Sequence, residues 1–226
     1  MNCFIAHRGN DDHPYKENTI EAITECLKKD YISGVEFDVR MTKDKKIVVT
    51  HNMTISKVSN GFGFVKNMTL KQLRKYNFGT KKHPSKIATL DDVLKNINSN
   101  KKIIIEIKAE IDKIKVIVNK IIKIVSKYQY LNIYFCSFNR KVIEYIFKKN
   151  YPVKLGLILL LPFDLNKIDN YCDFYVMNYL HLNKVNEIKN KEIMLWTVNN
   201  KDVLNDIRRK VNKNICIITD KAYLLK

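Results

Sequence analysis

The feature that most constrains this chain is an alternation, sustained over nearly its whole length, of short β-rich runs and amphipathic stretches. The runs are Cys3–Ala6, Val35–Val39, Ile103–Ile107, Ile133–Cys136, Lys154–Leu159, Phe174–Met177, Ile193–Val198 and Ile215–Thr219. Between them apolar residues recur at helical three- and four-residue spacing over about Asn18–Lys29, Leu90–Ile97, Asp112–Ser126, Arg140–Lys149, Leu165–Tyr171, Val185–Asn190 and Lys201–Lys210. Strand then helix, repeated, calls for parallel strands joined by right-handed crossovers. Eight such units closing on themselves predict an α/β fold, a (β/α)8 TIM barrel, and 226 residues lie in the lower part of that fold's size range. A doubly wound open sheet is the alternative. The departure from regularity, residues 52–86, contains Gly61-Phe62-Gly63 and His83-Pro84-Ser85 and reads as a small insertion after the second strand, capping the strands' C-terminal face. A single domain over residues 1–226 is therefore expected.

Composition narrows the functional classes. Hydrophobic residues are 46% and charged residues 28%, with only 6 Gly and 4 Pro, so disordered and collagenous chains are excluded. The longest apolar run, Leu155 to Pro162, is far shorter than the roughly 20 residues of a membrane-spanning helix. Met1 leads into Asn2-Cys3-Phe4 without a basic leader or an apolar signal segment, so a cytoplasmic location is expected. Cys3, Cys26, Cys136, Cys172 and Cys216 are odd in number and form no C-x-x-C pair, which suggests reduced thiols rather than a disulfide framework or zinc site. The formal net charge of +18 would attract phosphates. The lysines are nevertheless spread over nearly every segment alongside abundant Ile and Asn, so the charge reads as background with a steering role.

The chemistry is concentrated at strand ends. In Gly34-Val35-Glu36-Phe37-Asp38-Val39, Glu36 and Asp38 are two apart and project to the same side of a strand. An exposed edge strand would explain them, but Val35, Phe37 and Val39 make the other face apolar as well, as in a buried parallel strand. Buried carboxylates need a cation or donors. Ile103-Ile104-Ile105-Glu106-Ile107-Lys108 repeats the pattern on the next strand; alone it would suit a Glu106–Lys108 ion pair, and beside Glu36 and Asp38 it adds a third oxygen ligand. Three carboxylates without clustered Cys or His describe a site for one hard divalent cation, Mg²⁺ or Ca²⁺. His7 closes the first strand and His51 follows Ile47-Val48-Val49-Thr50, so both should reach the same barrel mouth, where a histidine pair can divide acid and base duties. His13, His83 and His181 fall in loops. Asn18 or Thr19 should cap a helix, with Glu21 near a capping-box position. Trp196, at the end of the seventh strand, is either core or a stacking wall for substrate.

These residues resemble the glycerophosphodiester phosphodiesterases. His7-Arg8-Gly9, Glu17-Asn18-Thr19, Glu36-Phe37-Asp38, Thr42-Lys43-Asp44, Val48-Val49-Thr50-His51, Thr89-Leu90-Asp91-Asp92-Val93-Leu94, Glu106-Ile107-Lys108, Trp196-Thr197-Val198-Asn199 and Thr219-Asp220 fall in that family's order from strand one to strand eight. The resemblance implies cleavage of a small-molecule glycerophosphodiester to glycerol 3-phosphate and an alcohol, with a divalent cation at Glu36, Asp38 and Glu106. It further implies acid–base roles for His7 and His51, phosphate contacts from Arg8 and Lys108, and substrate walls from Trp196 and Phe138. No nucleic-acid partner is expected, because the lysines are dispersed rather than clustered with interleaved aromatics, and the sequence does not give the oligomeric state. Three departures stand out: Lys16 where the family usually has Pro, Asn52 after His51 where Asp is usual, and Asp44-Lys45-Lys46 without the usual turn glycine. Alternative readings are a lysophospholipase D or other lipid phosphodiesterase on the same barrel, which would need Phe62 and Phe64 exposed, and a basic non-catalytic binder of phosphate or nucleic acid.

Overall fold

The computed structural model describes residues 3–159 and 171–226. Its strands are β1 (Cys3–His7), β2 (Ile32–Met41), β3 (Ile47–Val49), β4 (Lys102–Ile107), β5 (Asn132–Ser137), β6 (Lys154–Leu159), β7 (Phe174–Asn178), β8 (Glu192–Trp196) and β9 (Cys216–Thr219). Every strand except β3 pairs in parallel with its neighbours, and β1 pairs with both β2 and β9, so eight strands close into a (β/α)8 barrel. The short β3, which precedes the irregular stretch 52–86, runs antiparallel along β2 as a hairpin.

The helices α1 (Ile20–Lys28), α2 (Leu70–Leu73), α3 (Leu90–Lys95), α4 (Ile114–Val125), α5 (Arg140–Lys148), α6 (Leu182–Val185), α7 (Lys201–Lys210) and α8 (Ala222–Leu225) start where local chemistry allows. At α3, Thr89 and Asp92 satisfy each other's backbone N–H groups at 3.1 and 3.0 Å, a capping box. At α1 the cap is Thr19, which accepts from the Ala22 N–H; Asn18 is instead turned into the barrel mouth. The helix expected over Val185–Asn190 forms earlier, as α6, because Asn178 caps a turn directly after β7 and the buried Leu182 and Val185 follow at helical spacing. The stretch expected over Leu165–Tyr171 lies, apart from Tyr171, outside the described residues.

Three apolar clusters result. The largest lies between sheet and helices, with Phe37, Val39, Ile103, Ile105, Ile117 and Ile121 fully buried. A second fills the barrel, with Ile5, Ile104, Tyr134, Phe174, Met194 and Ile218. Gly156 is required there: a Cβ at that position would sit 2.2 Å from the Phe174 ring. A third, satellite core of Val48, Ile55, Val58, Val65, Leu73, Phe78 and Ile87 holds the 52–86 insertion together. Strand sequences that are apolar on both faces thus belong to strands buried on both faces.

One sequence expectation is corrected. Cys3 and Cys216 are joined by a disulfide, while Cys26, Cys136 and Cys172 are buried and outside any disulfide. The two half-cystines are register partners on β1 and β9, with Cα atoms 4.5 Å apart. They are 213 residues apart in the chain, so only barrel closure brings them together. No helix among the described residues is long and apolar enough to cross a membrane.

Candidate active site

Strand register assembles the site. His7 is the partner of Glu36 across β1 and β2, and Asp38 is the partner of Glu106 across β2 and β4, so all four stand near the C-terminal ends of adjacent strands. Glu36, Asp38 and Glu106 are buried, and each offers an oxygen within 4.8 Å of the others. Burial, followed by the charge of Asp38, pushes the pKa values of Glu36 and Glu106 above the carboxylate range. Asp38 is held low despite its burial by the charges of Lys108, His51 and Arg8. Three carboxylate oxygens this close and this buried are the donor set of a hard divalent cation, and the residues fit one.

The surrounding contacts divide the labour. Lys108 Nζ donates to Glu106 Oε1 at 2.5 Å and lies 3.1 Å from Asp38 Oδ1, so the pairing the sequence offered as an alternative to a site exists within it. Asp38 is set behind the other two carboxylates, where Asn18 Nδ2 donates to its Oδ2 at 3.3 Å and Arg8 Nε lies 3.6 Å away. The Arg8 backbone N–H donates to Glu36 at 3.1 Å, and its guanidinium reaches Glu17 at 3.3 Å. To point these groups inward, Arg8 and Asn18 both adopt left-handed backbone conformations, with φ of 55° and 58°, and the Asn18 N–H donates to the Arg8 carbonyl at 2.8 Å. Strained non-glycine residues at a cluster of charge are a common mark of a functional site.

The histidines have different environments. His7 Nδ1 donates to Asp220 Oδ1 at 2.9 Å; Asp220 is itself fixed by Asn10 at 3.0 Å and Asn199 at 2.8 Å. Burial disfavours the His7 imidazolium, but the hydrogen bond and charge of Asp220, with the charge of Glu36, outweigh it and its pKa rises. His51 Nδ1 meets the neutral Asn52 amide at 3.3 Å, and burial, with Lys108 and Arg8 nearby, lowers its pKa against the opposing charge of Asp38.

A cavity of about 90 Å³ is lined by His7, Arg8, Glu36, His51, Glu106, Phe138 and Trp196 above the barrel interior. Phe138 and Trp196 meet edge to face at 6.1 Å. Of the residues singled out from sequence, only Asp38 and Lys108 do not line this cavity. Sequence reasoning assigned no role to Asp220, Asn199 or Glu17, and it offered Asn18 only as a helix cap, whereas Asn18 binds Asp38. The signal available for them was their place in short polar motifs at strand and helix ends.

Comparison with known proteins agrees with this geometry. The family model described as Glycerophosphoryl diester phosphodiesterase family matches residues 7–223. A glycerophosphodiester phosphodiesterase of Caldanaerobacter subterraneus subsp. tengcongensis is 31% identical over 238 residues, covering 98% of this chain and 95% of that protein. A phosphodiesterase of Oleispira antarctica, solved in complex with the product sn-glycerol-3-phosphate, shares the fold with a TM-score of 0.90 at 17% identity, covering 100% of this chain and 95% of that one. The glycerophosphodiester phosphodiesterase of Thermotoga maritima does so with a TM-score of 0.77 at 24% identity, covering 99% and 96%.

Proposed function

The chain belongs to the glycerophosphoryl diester phosphodiesterase family, and from that membership we propose that it hydrolyses glycerophosphodiesters to glycerol 3-phosphate and an alcohol, using His7 and His51 around a divalent-cation site at Glu36, Asp38 and Glu106. The observation that carries the reading is a cluster of three buried carboxylates, two of which, Glu36 and Glu106, line one cavity together with His7 and His51. A divalent cation bound there, Mg²⁺ or Ca²⁺, would act as Lewis acid and template for the diester.

The chain's own residues do the rest. Arg8 and Lys108 supply positive charge toward the phosphate oxygens. His51, with its depressed pKa, takes the proton from the glycerol 2-hydroxyl, whose oxygen bonds to phosphorus as the bond to the alcohol breaks, and His7, with its raised pKa, gives a proton to the departing alkoxide; water then opens the resulting cyclic phosphate to glycerol 3-phosphate, with the two histidines exchanging proton roles. Asp220 holds the His7 ring and its tautomer, leaving Nε2 free for that transfer. Trp196 and Phe138 wall the cavity, where their rings give the substrate an apolar surface. The test is release of glycerol 3-phosphate from glycerophosphocholine, which should occur with the wild type and fail in His7→Ala and His51→Ala. Wild-type release in either variant would remove that histidine from the mechanism.

A further inference from the structure

The even spread of lysine along the sequence hides one asymmetry. Residues 52–86 hold Lys57, Lys66, Lys71, Arg74, Lys75, Lys81, Lys82 and Lys86, eight of the 41 basic residues, and none of the 23 acidic ones. All eight side chains are exposed. Arg74 is answered by Asp92 at 2.6 Å and Lys66 by Glu110 at 3.0 Å; the other six form no ion pair among the described residues. The insertion therefore presents unneutralised positive charge on one small unit.

The same unit exposes apolar side chains that its own core does not use. Phe62 is 79% exposed, Met53 56% and Phe64 44%. Backbone pairing puts them together: Val65 N–H donates to the Met53 carbonyl at 2.9 Å, Ile55 N–H donates to the Gly63 carbonyl at 3.0 Å, and Thr54 bridges Phe64. Gly61-Phe62-Gly63 is the tip of this hairpin, and its base, Asn52, adjoins His51 at the cavity. Aromatic residues projecting from a segment with six unpaired lysines and no acidic residue of its own are complementary to a membrane interface with anionic lipid, where lysines meet headgroups and aromatic rings enter the acyl boundary. A nucleic acid would instead need aromatic faces laid along a groove for stacking.

We propose that the 52–86 insertion docks this protein on an anionic lipid surface, with Phe62 and Phe64 entering the interface and the unpaired lysines facing the headgroups. Docking would hold the cavity beside the surface at which phospholipid deacylation releases diesters. The inference stands on charge and exposure, independently of the substrate reading, and is tested without turnover.

The experiment is co-sedimentation of the full-length protein with vesicles of phosphatidylcholine alone and of equal phosphatidylcholine and phosphatidylglycerol, at low and at physiological salt. The protein should sediment with the anionic vesicles and stay in solution with the neutral ones. Phe62→Ser should weaken anionic-vesicle binding by roughly tenfold, from lost apolar burial. Lys81→Glu with Lys82→Glu should weaken it by more, since each lysine strengthens binding by roughly fivefold. Both variants should melt as wild type and hydrolyse glycerophosphocholine as wild type. Equal binding to both vesicles, binding to neither, or no effect of either variant would overturn the proposal. A duplex oligonucleotide bound more tightly than the anionic vesicles, with Phe62→Ser without effect on it, would assign the patch to nucleic acid and overturn it too.

Discussion

Replacing Glu36 by Gln should raise the stability of the cation-free protein while abolishing its response to cation. Two unit charges 4.8 Å apart at an effective dielectric of ~20 repel by about 3 kcal/mol. Glu36 faces such a repulsion from Asp38 and from Glu106, offset in part by the charge of His7 and by the Arg8 backbone N–H. The Gln carbonyl still accepts the Arg8 N–H that Glu36 Oε2 accepts at 3.1 Å, so the net gain is about 1–3 kcal/mol. In a domain of this size that is a rise in Tm of about 2–10 °C. Cation binding to the wild type at about 1,000 times Kd adds about 4.1 kcal/mol, which the variant lacks. The order of stabilities therefore inverts: the variant melts higher in chelator, the wild type higher with saturating Mg²⁺ or Ca²⁺. The pH dependence follows from the raised pKa of Glu36. Between the unfolded carboxylate value and that raised value the native state binds more protons, so cation-free wild-type stability falls as pH rises and the gap to the variant widens. Calorimetry of both proteins in each condition reads all of this. A variant that melts below wild type in chelator, or that gains as much from cation, refutes the reasoning.

Three further outcomes are expected. His7→Ala and His51→Ala should each lower kcat by about 10²–10⁴-fold with little change in Tm, measured by glycerol 3-phosphate release and thermal melting. Asp220→Asn should lower kcat by roughly 10–100-fold, corresponding to the loss of a charge-assisted hydrogen bond of about 1.5–3 kcal/mol, and shift the pH profile of kcat/KM with little effect on KM. An unchanged profile would reduce Asp220 to a structural role. Asp11 is buried under Lys29 at 2.8 Å, the Tyr31 hydroxyl at 2.7 Å and the Tyr223 N–H at 3.0 Å, and despite the opposing effect of burial these donors depress its pKa. Its stabilisation is present above the unfolded Asp pKa and is lost as pH falls through the folded value. Asp11→Asn should therefore cost about 2 kcal/mol at neutral pH and progressively less in acid, read by denaturant melts across pH.

The strands were legible because a barrel strand is buried on both faces. Ile103-Ile104-Ile105 and Val35 to Val39 show that condition directly, and a carboxylate within such a run stands out against it. Glu36, Asp38, Glu106 and the two strand-end histidines could thus be read before the fold was known. Asp220, which fixes His7 from 213 residues away, could not, since nothing local marks a carboxylate after a strand as that histidine's partner. The Cys3–Cys216 bond is hidden for the same reason: only the register of β1 against β9 creates it. Asn18 is a different case. Its type and position suit a helix cap, but Thr19 takes that role and frees Asn18, at φ 58°, to bind Asp38. The position of α6 was missed because a turn capped by Asn178 starts the segment immediately after β7, and tertiary burial of Leu182 outweighed the pattern downstream.

The most direct test of the central claim is glycerol 3-phosphate release from glycerophosphocholine and glycerophosphoethanolamine by the wild-type protein, with Mg²⁺, with Ca²⁺ and with chelator. Release that requires a cation and is lost in Glu36→Gln is the predicted result; release undiminished by chelator, or none with either cation, would contradict it.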